Sequence, residues 1–134
     1  MIELSTTTAL ELSPGQAITC DSIPLKTGCA ECTRAGTGSV KLRANGVYVV
    51  TFSGNIGATA ATTAAQLSIQ LSGITVPEST MISTTAAAGD LNNVSTTIPI
   101  RNCCCDYDRI TVANTGTSTV NVGKGAMLYV RRVS

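Results

Sequence analysis

The chain has 134 residues, enough for one domain around one hydrophobic core, with little room for a second. Nine Lys and Arg residues nearly balance eight Asp and Glu residues, so the composition argues against nucleic acid or an anionic membrane surface as the partner. His is absent, which removes the commonest catalytic base, and only 13% of residues are charged, which favours surface buried in an assembly. No apolar run approaches the roughly 20 residues of a membrane span, and no signal peptide is expected.

The first third of the chain predicts short extended segments separated by turns. Ile2–Leu12 alternates loosely, Ser13–Gly15 is a turn, and Ala17–Cys20 resumes in extended form. Pro24 predicts an edge strand or a bulge, because proline cannot donate to a strand ladder. Thr27–Gly38 is expected to be a loop.

The most characteristic stretch is the hairpin pattern from Gly38 to Ile56. Val40 and Leu42 alternate with charged residues, and Asn45-Gly46 supplies turn chemistry. In the second arm, one face carries Tyr48, Val50 and Phe52, while Val47, Val49 and Thr51 make the other face nearly apolar as well. A strand that is apolar on both faces needs cover on both sides, and a second copy of the chain is one source of that cover.

The remaining segments alternate in the same way. Gly57–Ala65 and Ser83–Gly89 are predicted to be small-residue surface loops, and Gln66–Ser72 is a clear strand. In the next strand Val94, Thr96, Ile98 and Ile100 share a face, with Pro99 again indicating an edge or a bulge. Further strands surround Ile110, Val120 and Leu128. We therefore predict an all-β antiparallel jelly-roll sandwich of about eight to ten strands in one domain, residues 1–134.

Several stretches share their order and residues with a known family. They are Pro14–Thr19, Gly38–Val40, Asn45–Phe52, Gln66–Ile69, Asp108–Val112 with Asn114, and Leu128–Val130, and they span nearly all of the chain. This pattern resembles the trimeric jelly-roll domain of the C1q and tumour-necrosis-factor family. The compact form, found in exosporium glycoprotein C-terminal domains and in phage head-fibre or decoration proteins, is the most similar. Gly46-Val47-Tyr48 is its most specific part.

The resemblance implies a homotrimer that closes around a threefold axis and binds no cofactor. Trimer packing would cover the second apolar face, so Val47, Val49, Thr51 and Tyr129 are the expected packing residues. Cys20 departs from the family pattern, because an aromatic residue often follows the Ile-Thr-like pair there. No collagen repeat precedes the domain in this sequence, which favours the phage-type branch.

The cysteines are the candidates for metal or redox chemistry. Cys29 and Cys32 have zinc-knuckle spacing, and Cys103 and Cys105 would supply two further thiolates. The consecutive Cys103-Cys104-Cys105 run has poor ligand geometry, however. Disulfides drawn from Cys29, Cys32, Cys103, Cys104 and Cys105, formed after release from a reducing cytoplasm, and free thiols are the alternatives. Cys20 lies on a strand by itself and is expected in the core.

Other polar groups offer weak evidence for a site. Asp106 and Asp108 would point the same way on a strand and are expected to contact solvent or Arg109 rather than form an acid/base pair. Asp90, Asn92 and Asn93 carry oxygen ligands for calcium, but a polar turn explains them better. Arg131-Arg132 is either a partner contact or a solvated tail.

These observations predict a non-enzymatic structural virion protein, made in the host cytoplasm. It would form a homotrimer and act as a phage head-decoration or head-fibre protein, with a capsid or tail protein as a further partner and no role in binding nucleic acid. The alternative is a receptor- or glycan-binding tip of a phage or bacterial surface fibre, using the two small-residue loops against a cell-surface receptor. A metal-stabilised enzyme or redox protein is a third hypothesis. Val49→Asp is expected to disrupt assembly and folding together.

Overall fold

The longest strand runs from Gly46 to Ala58 and lies inside the larger of two antiparallel sheets in this computed structural model. It has hydrogen-bonded neighbours along both of its edges. The structure describes residues 1–26, 31–32, 39–42, 45–102 and 109–133, and only the backbone of 31–32. Within these ranges no helix has the length and apolarity needed to cross a bilayer.

The described residues form thirteen strands and one turn of 3-10 helix at Pro77–Ser79. The strands are β1 Ile2–Ser5, β2 Leu10–Leu12, β3 Ser22–Lys26, β4 Glu31–Cys32, β5 Val40–Leu42, β6 Gly46–Ala58, β7 Ala64–Leu71, β8 Ile74–Thr75, β9 Met81–Thr84, β10 Asn92–Asn102, β11 Arg109–Asn114, β12 Val120–Val122 and β13 Met127–Arg132. The predicted all-β antiparallel sandwich is confirmed.

The two sheets divide the strands as a jelly roll does. Sheet A has seven strands, in the order β2-β12-β6-β13-β1-β3, with β10 on the other edge of β6. Sheet B has six strands, in the order β4-β5-β11-β7-β8, with β9 also paired to β7. Most neighbours in sheet A are distant in sequence, as are β5-β11 and β11-β7 in sheet B, so these pairings depend on long-range contacts.

The strand number exceeds the predicted eight to ten partly because two long ladders are interrupted. Both β12 and β13 pair with the same edge of β6, and they are separated by a turn that contains Lys124. Likewise β8 and β9 both pair with β7. Between them Ser79 Oγ accepts a hydrogen bond from the Ile69 amide at 2.8 Å, and the Val76 amide donates to the Ile69 carbonyl at 3.0 Å. A side chain thus replaces one bond of the ladder, which alternation in sequence does not reveal.

Alternation along β6 builds the core. Tyr48, Val50 and Phe52 are buried between the sheets, as predicted. They pack with aliphatic side chains from both sheets, among them Ile2, Leu4, Leu67, Ile69, Ile110, Val112, Leu128 and Val130. The core is therefore mostly aliphatic, as the low aromatic content of 3% requires.

Both strand prolines lie where proline is tolerated. Pro99 belongs to β10, which pairs only with β6 among the described strands, so one of its edges is open. Pro24 belongs to β3 at the end of sheet A, where the pairing with β1 shifts register between Glu3 and Ser5. The edge or bulge predicted at each proline is confirmed.

The first predicted small-residue loop is shorter than expected, and the second begins two residues later than expected. β6 continues through Ala58 and β7 begins at Ala64, so only residues 59–63 connect them. Ser83 lies in β9, and the second connection begins after Thr84. Small and hydroxyl residues have weak local preferences, so pairing with neighbouring strands decided these boundaries.

Asn114 joins the two sheets at the end of β11. Its buried Nδ2 donates to the Leu12 carbonyl of β2 at 3.0 Å and to the Ser118 carbonyl at 2.8 Å, and its Oδ1 accepts from the Gly116 amide at 3.0 Å. The Asn114 backbone also bonds to Gly15 and Gln16. The side-chain amide of Asn114 thus connects β11 of sheet B to β2 of sheet A.

Asn114→Ala is expected to lower the free energy of unfolding by on the order of 3 kcal/mol, because three buried backbone groups lose their partner. Urea unfolding followed by circular dichroism measures the change. Asn121→Ala, on the half-buried face of β12, is the matched control and should change stability by less than about 0.5 kcal/mol. Equal effects of the two substitutions would contradict the role assigned to Asn114.

Candidate interaction surface

The outward face of β6 is the candidate functional surface. Val47, Val49 and Thr51 alternate with the buried residues of β6 and lie half-buried on the outside of sheet A. We define the β6 outer face as these residues with Ser53 and their uncharged neighbours on the flanking strands. These neighbours are Pro99, Thr97 and Ser95 on β10, and Tyr129 and Met127 on β13.

Cross-strand register brings the predicted packing residues together. Thr51 lies between Thr97 and Tyr129, and its hydroxyl is hydrogen-bonded to the Thr97 hydroxyl at 3.1 Å. Val49 lies between Pro99 and Arg131. The four residues named from the sequence therefore share one surface.

The sequence analysis missed the contribution of β10 and of Met127 to this surface. Ser53 lies between Ser95 and Met127 in the row beside Thr51. Alternation places Thr97 and Ser95 opposite the buried Ile98 in β10, but only the pairing of β10 with β6 brings them beside Thr51 and Ser53. Charged residues border the β6 outer face: Arg101 is opposite Val47, Arg131 is opposite Val49, and Glu3 is opposite Tyr129.

The far end of the same side of sheet A is covered by the chain itself. The segment before β10 crosses over Gly57, where an added Cβ would stand 1.9 Å from the Asp90 carbonyl oxygen. Leu91 reaches across to Gly123, where its Cδ1 would be 3.0 Å from an added Cβ. Glycine is required at Gly57 because the Asp90 backbone approaches so closely. The loop does not extend over Val47, Val49 or Thr51, which are only half-buried.

The two connections proposed as a binding tip contact each other. The Thr62 amide of the β6–β7 connection donates to the Thr85 carbonyl of the β9–β10 connection at 2.9 Å. Thr62 has a positive φ of 58°, a conformation that costs free energy for a β-branched residue. Asn92 and Asn93, considered for calcium, instead donate to Ser83 Oγ and Asn55 Oδ1, both at 3.2 Å.

Cys20 is confirmed as a core residue. It is 3% exposed and lies among Ile18, Phe52 and Leu128. Burial raises the pKa of the Cys20 thiol to about 11, with a further contribution from the charge of Asp21, so the unreactive thiol form dominates at neutral pH.

The other predicted cysteine sites cannot be placed in the fold. Cys29, Cys103, Cys104 and Cys105 lie outside the described residues, as does the side chain of Cys32. Asp106 and Asp108 lie outside them too. Within the described part of the chain no three metal-ligating side chains cluster. The metal, disulfide and thiol alternatives therefore remain predictions.

Asp21 ties the start of β3 to the connection between β1 and β2. Its carboxylate accepts hydrogen bonds from the Thr7 hydroxyl and, at 2.8 Å, from the Thr7 amide. The Thr7 hydroxyl, followed by the Thr7 amide, lowers the pKa of this exposed carboxyl below its ordinary value of 3.8, because both donors favour the ionised form.

The sheet order and the jelly-roll connections define the class of this fold, which is the C1q- and tumour-necrosis-factor-like jelly roll. The solved globular domain of zebrafish complement 1qA is similar with a TM-score of 0.71 and 10% identity, covering 99% of this chain and 96% of that chain. The Eiger TNF of S. frugiperda gives a TM-score of 0.70 and 11% identity, covering 99% of this chain and 91% of that chain. Murine APRIL gives a TM-score of 0.61 and 11% identity, covering 98% of this chain and 97% of that chain.

Sequence comparison adds no assignment to this structural likeness. No protein-family model matches the chain, and no curated protein matches it in sequence. At such low identity the likeness establishes the fold alone.

Cys20 should resist iodoacetamide in the folded protein at neutral pH and react fully after unfolding, because the reagent needs an accessible thiolate. Peptide mapping by mass spectrometry measures both states. The same maps without reductant report which of Cys29, Cys32, Cys103, Cys104 and Cys105 form disulfides. Rapid labelling of Cys20 in the folded chain would contradict its burial.

Acidification should destabilise the protein through Asp21. Its lowered pKa in the folded state means that the unfolded chain binds the proton first as pH falls. The stabilising contribution is present above the ordinary pKa of 3.8 and is lost as pH falls through the lower folded value. Thermal midpoints measured from neutral pH to below that value should fall less steeply in Asp21→Asn than in the parent. Parallel curves would show that the Thr7 contacts do not favour the ionised form.

Proposed function

We propose that this chain is a non-enzymatic structural protein that forms a homotrimer through the β6 outer face. The observation that carries the proposal is the apolar and hydroxyl character of that surface, which spans three neighbouring strands, includes Val47, Val49, Pro99 and Tyr129, and has charged residues at its border. A solvated sheet face ordinarily alternates buried apolar residues with outward polar or charged ones. This face instead presents apolar and hydroxyl side chains, which suits contact with another protein surface.

The division of sheet A supports assembly. The chain covers the far end of the outer side with its own Asp90 and Leu91, whereas the described residues leave Val49 and Thr51 half-buried. A threefold arrangement of identical copies satisfies such a surface without leaving an open chain of contacts, since cyclic symmetry closes. The sequence resemblance to trimeric jelly rolls supports three as the number of copies.

We place this homotrimer on a phage-like particle, as a head-decoration or head-fibre protein with a capsid or tail protein as its partner. The support comes from the compact phage-type sequence pattern around Gly46-Val47-Tyr48 and from the low charge of 13%. The absence of His and the burial of the Cys20 thiol support a role without catalysis.

A receptor-binding tip is the second candidate. The contact between Thr62 and Thr85 holds the two end connections together and forms a continuous surface at that end of the sandwich. Neither connection contains an aromatic residue, which sugar-binding sites commonly use for stacking. This makes a protein receptor a better fit than a glycan.

Val49→Asp tests the β6 outer face. The parent protein should sediment at three times the chain mass of 13.7 kDa, and the variant at the mass of one chain. The introduced carboxylate would lie opposite Arg131, but the cost of removing both charges from water in an interface can exceed their attraction, so we expect the affinity between copies to fall by about tenfold or more. The half-buried, outward position of Val49 revises the expectation from sequence that assembly and folding are lost together: the monomeric variant should keep its circular dichroism spectrum.

Ile74→Asp is the matched control for this experiment. Ile74 is also an aliphatic strand residue, but it is 74% exposed and lies in sheet B, away from the β6 outer face. This variant should remain trimeric. A parent protein that sediments as one chain at micromolar concentration, or a trimeric Val49→Asp variant, would exclude assembly through this surface.

A further inference from the structure

The near-zero net charge conceals a separation of charge along the sandwich. All described Lys and Arg residues except Lys124 lie at the end where β6 begins. We call this group the basic end, and it consists of Lys26, Lys41, Arg101, Arg109, Arg131 and Arg132. The formal net charge of +1 therefore conceals an uneven distribution, although Glu3, which is opposite Leu25 and Tyr129, lies beside the basic end.

Register places the sheet A members of the basic end beside the first residues of β6. Arg101 is opposite Val47, and Arg132 and Arg131 are opposite Tyr48 and Val49. Lys26 pairs with Ile2, which pairs with Val130 in the row of Val50. With a rise of about 3.4 Å per residue, these rows span roughly 10 Å along the strands.

The sheet B members lie at the same end. Lys41 and Arg109 are directly opposite in register, with outward side chains that alternate with the buried Val40 and Ile110. Asn102, which pairs with Gly46 at the start of β6, donates from Nδ2 to the Leu42 carbonyl at 3.5 Å and so links the two sheets there.

The other end of the sandwich is acidic. Glu11 pairs with Asn121 in the row of Gly57, and the Asp90 backbone lies against Gly57. Asp21 lies beside Thr7, beyond the row of Ser5 and Met127. The rows of Val47 and Gly57 are ten residues apart on β6, which is roughly 30 Å along an extended strand.

The charge separation does not depend on the undescribed segments. By sequence, the segments that join these strand ends contain Glu31, Asp106 and Asp108 as well as Arg34 and Arg43. Basic residues still outnumber acidic ones at this end when all five are counted there.

We propose that the basic end is an attachment surface for an acidic protein surface, such as the carboxylate-rich face of a particle protein. Arg guanidinium groups pair with carboxylates through two parallel hydrogen bonds and are enriched in protein interfaces. Exposed aliphatic side chains accompany the charges: Ile74 is 74% exposed, Val133 45% and Leu25 39%. A phosphate backbone would use only the charges, whereas a protein surface contacts both.

This inference rests on the proposed homotrimer. Rotational symmetry places three copies of the basic end at the same pole, so each trimer engages an acidic surface three times. Such multivalency raises the overall affinity without any new contact. It also explains how a chain with a net charge near zero binds an acidic surface.

Biolayer interferometry of the parent protein on immobilised poly-L-glutamate tests the proposal. We expect binding that weakens as salt rises from 50 to 500 mM, since exposed charges are screened. Lys26→Glu combined with Lys41→Glu should weaken binding by at least about tenfold. Lys41→Glu also places opposite charges across from each other at Arg109, and urea unfolding followed by circular dichroism checks that the variant keeps the parent fold.

Lys124→Glu is the matched control, because it makes the same charge reversal away from the basic end and should bind like the parent. Parent protein that fails to bind, or equal losses in Lys41→Glu and Lys124→Glu, would overturn the proposal. Tighter binding to duplex DNA or to phosphatidylglycerol vesicles than to poly-L-glutamate would overturn the acidic-protein assignment. Light scattering on the same samples reports assembly separately: a trimer that does not bind refutes attachment alone, and a binding monomer refutes the trimer alone.

Discussion

The ladder that β6 forms with its neighbours is the constraint on which the rest of the structure depends. This one strand pairs with β10 along one edge and with β12 and β13 along the other. Its strict alternation sends Tyr48 and Phe52 into the core and Val49 outward. A shift of one residue would exchange the two faces, burying the outward set and exposing the core. Register along β6 therefore decides both stability and the composition of the outer surface.

The same ladder divides the outside of sheet A into a covered and an uncovered part. Near its end, β6 has Gly57 where the backbone of Asp90 crosses, and the chain covers itself there. Nearer its start the strand carries Val47 and Val49, which the described residues leave only half-buried. The proposed structural role rests on this difference between the two parts of the outer side.

The charge distribution follows from antiparallel pairing. Arg101, Arg131 and Lys26 lie on three different strands, and each comes near the strand end that is level with the start of β6. The net charge of a sequence sums over all residues and cannot register such an arrangement. The cysteine-containing segments are a different case. Their chemistry was named from residue type and spacing, and the described part of the fold reaches only the strands that border them.

The sequence by itself determined which residues are buried and where chains reverse or sheets end. Period-two alternation identified the core side of β6, because the side to which each side chain points alternates along a strand. Pro99 predicted an edge or a bulge, because proline has no amide hydrogen to donate to a neighbouring strand. Only the tertiary structure decided which strands meet, that Ser79 replaces a ladder bond beside Ile69, and that Thr97 lies next to Thr51. These features depend on contacts between segments far apart in sequence. The local conformational preference of a segment carries no information about which strand it pairs with, so these contacts are defined only in the assembled sheets.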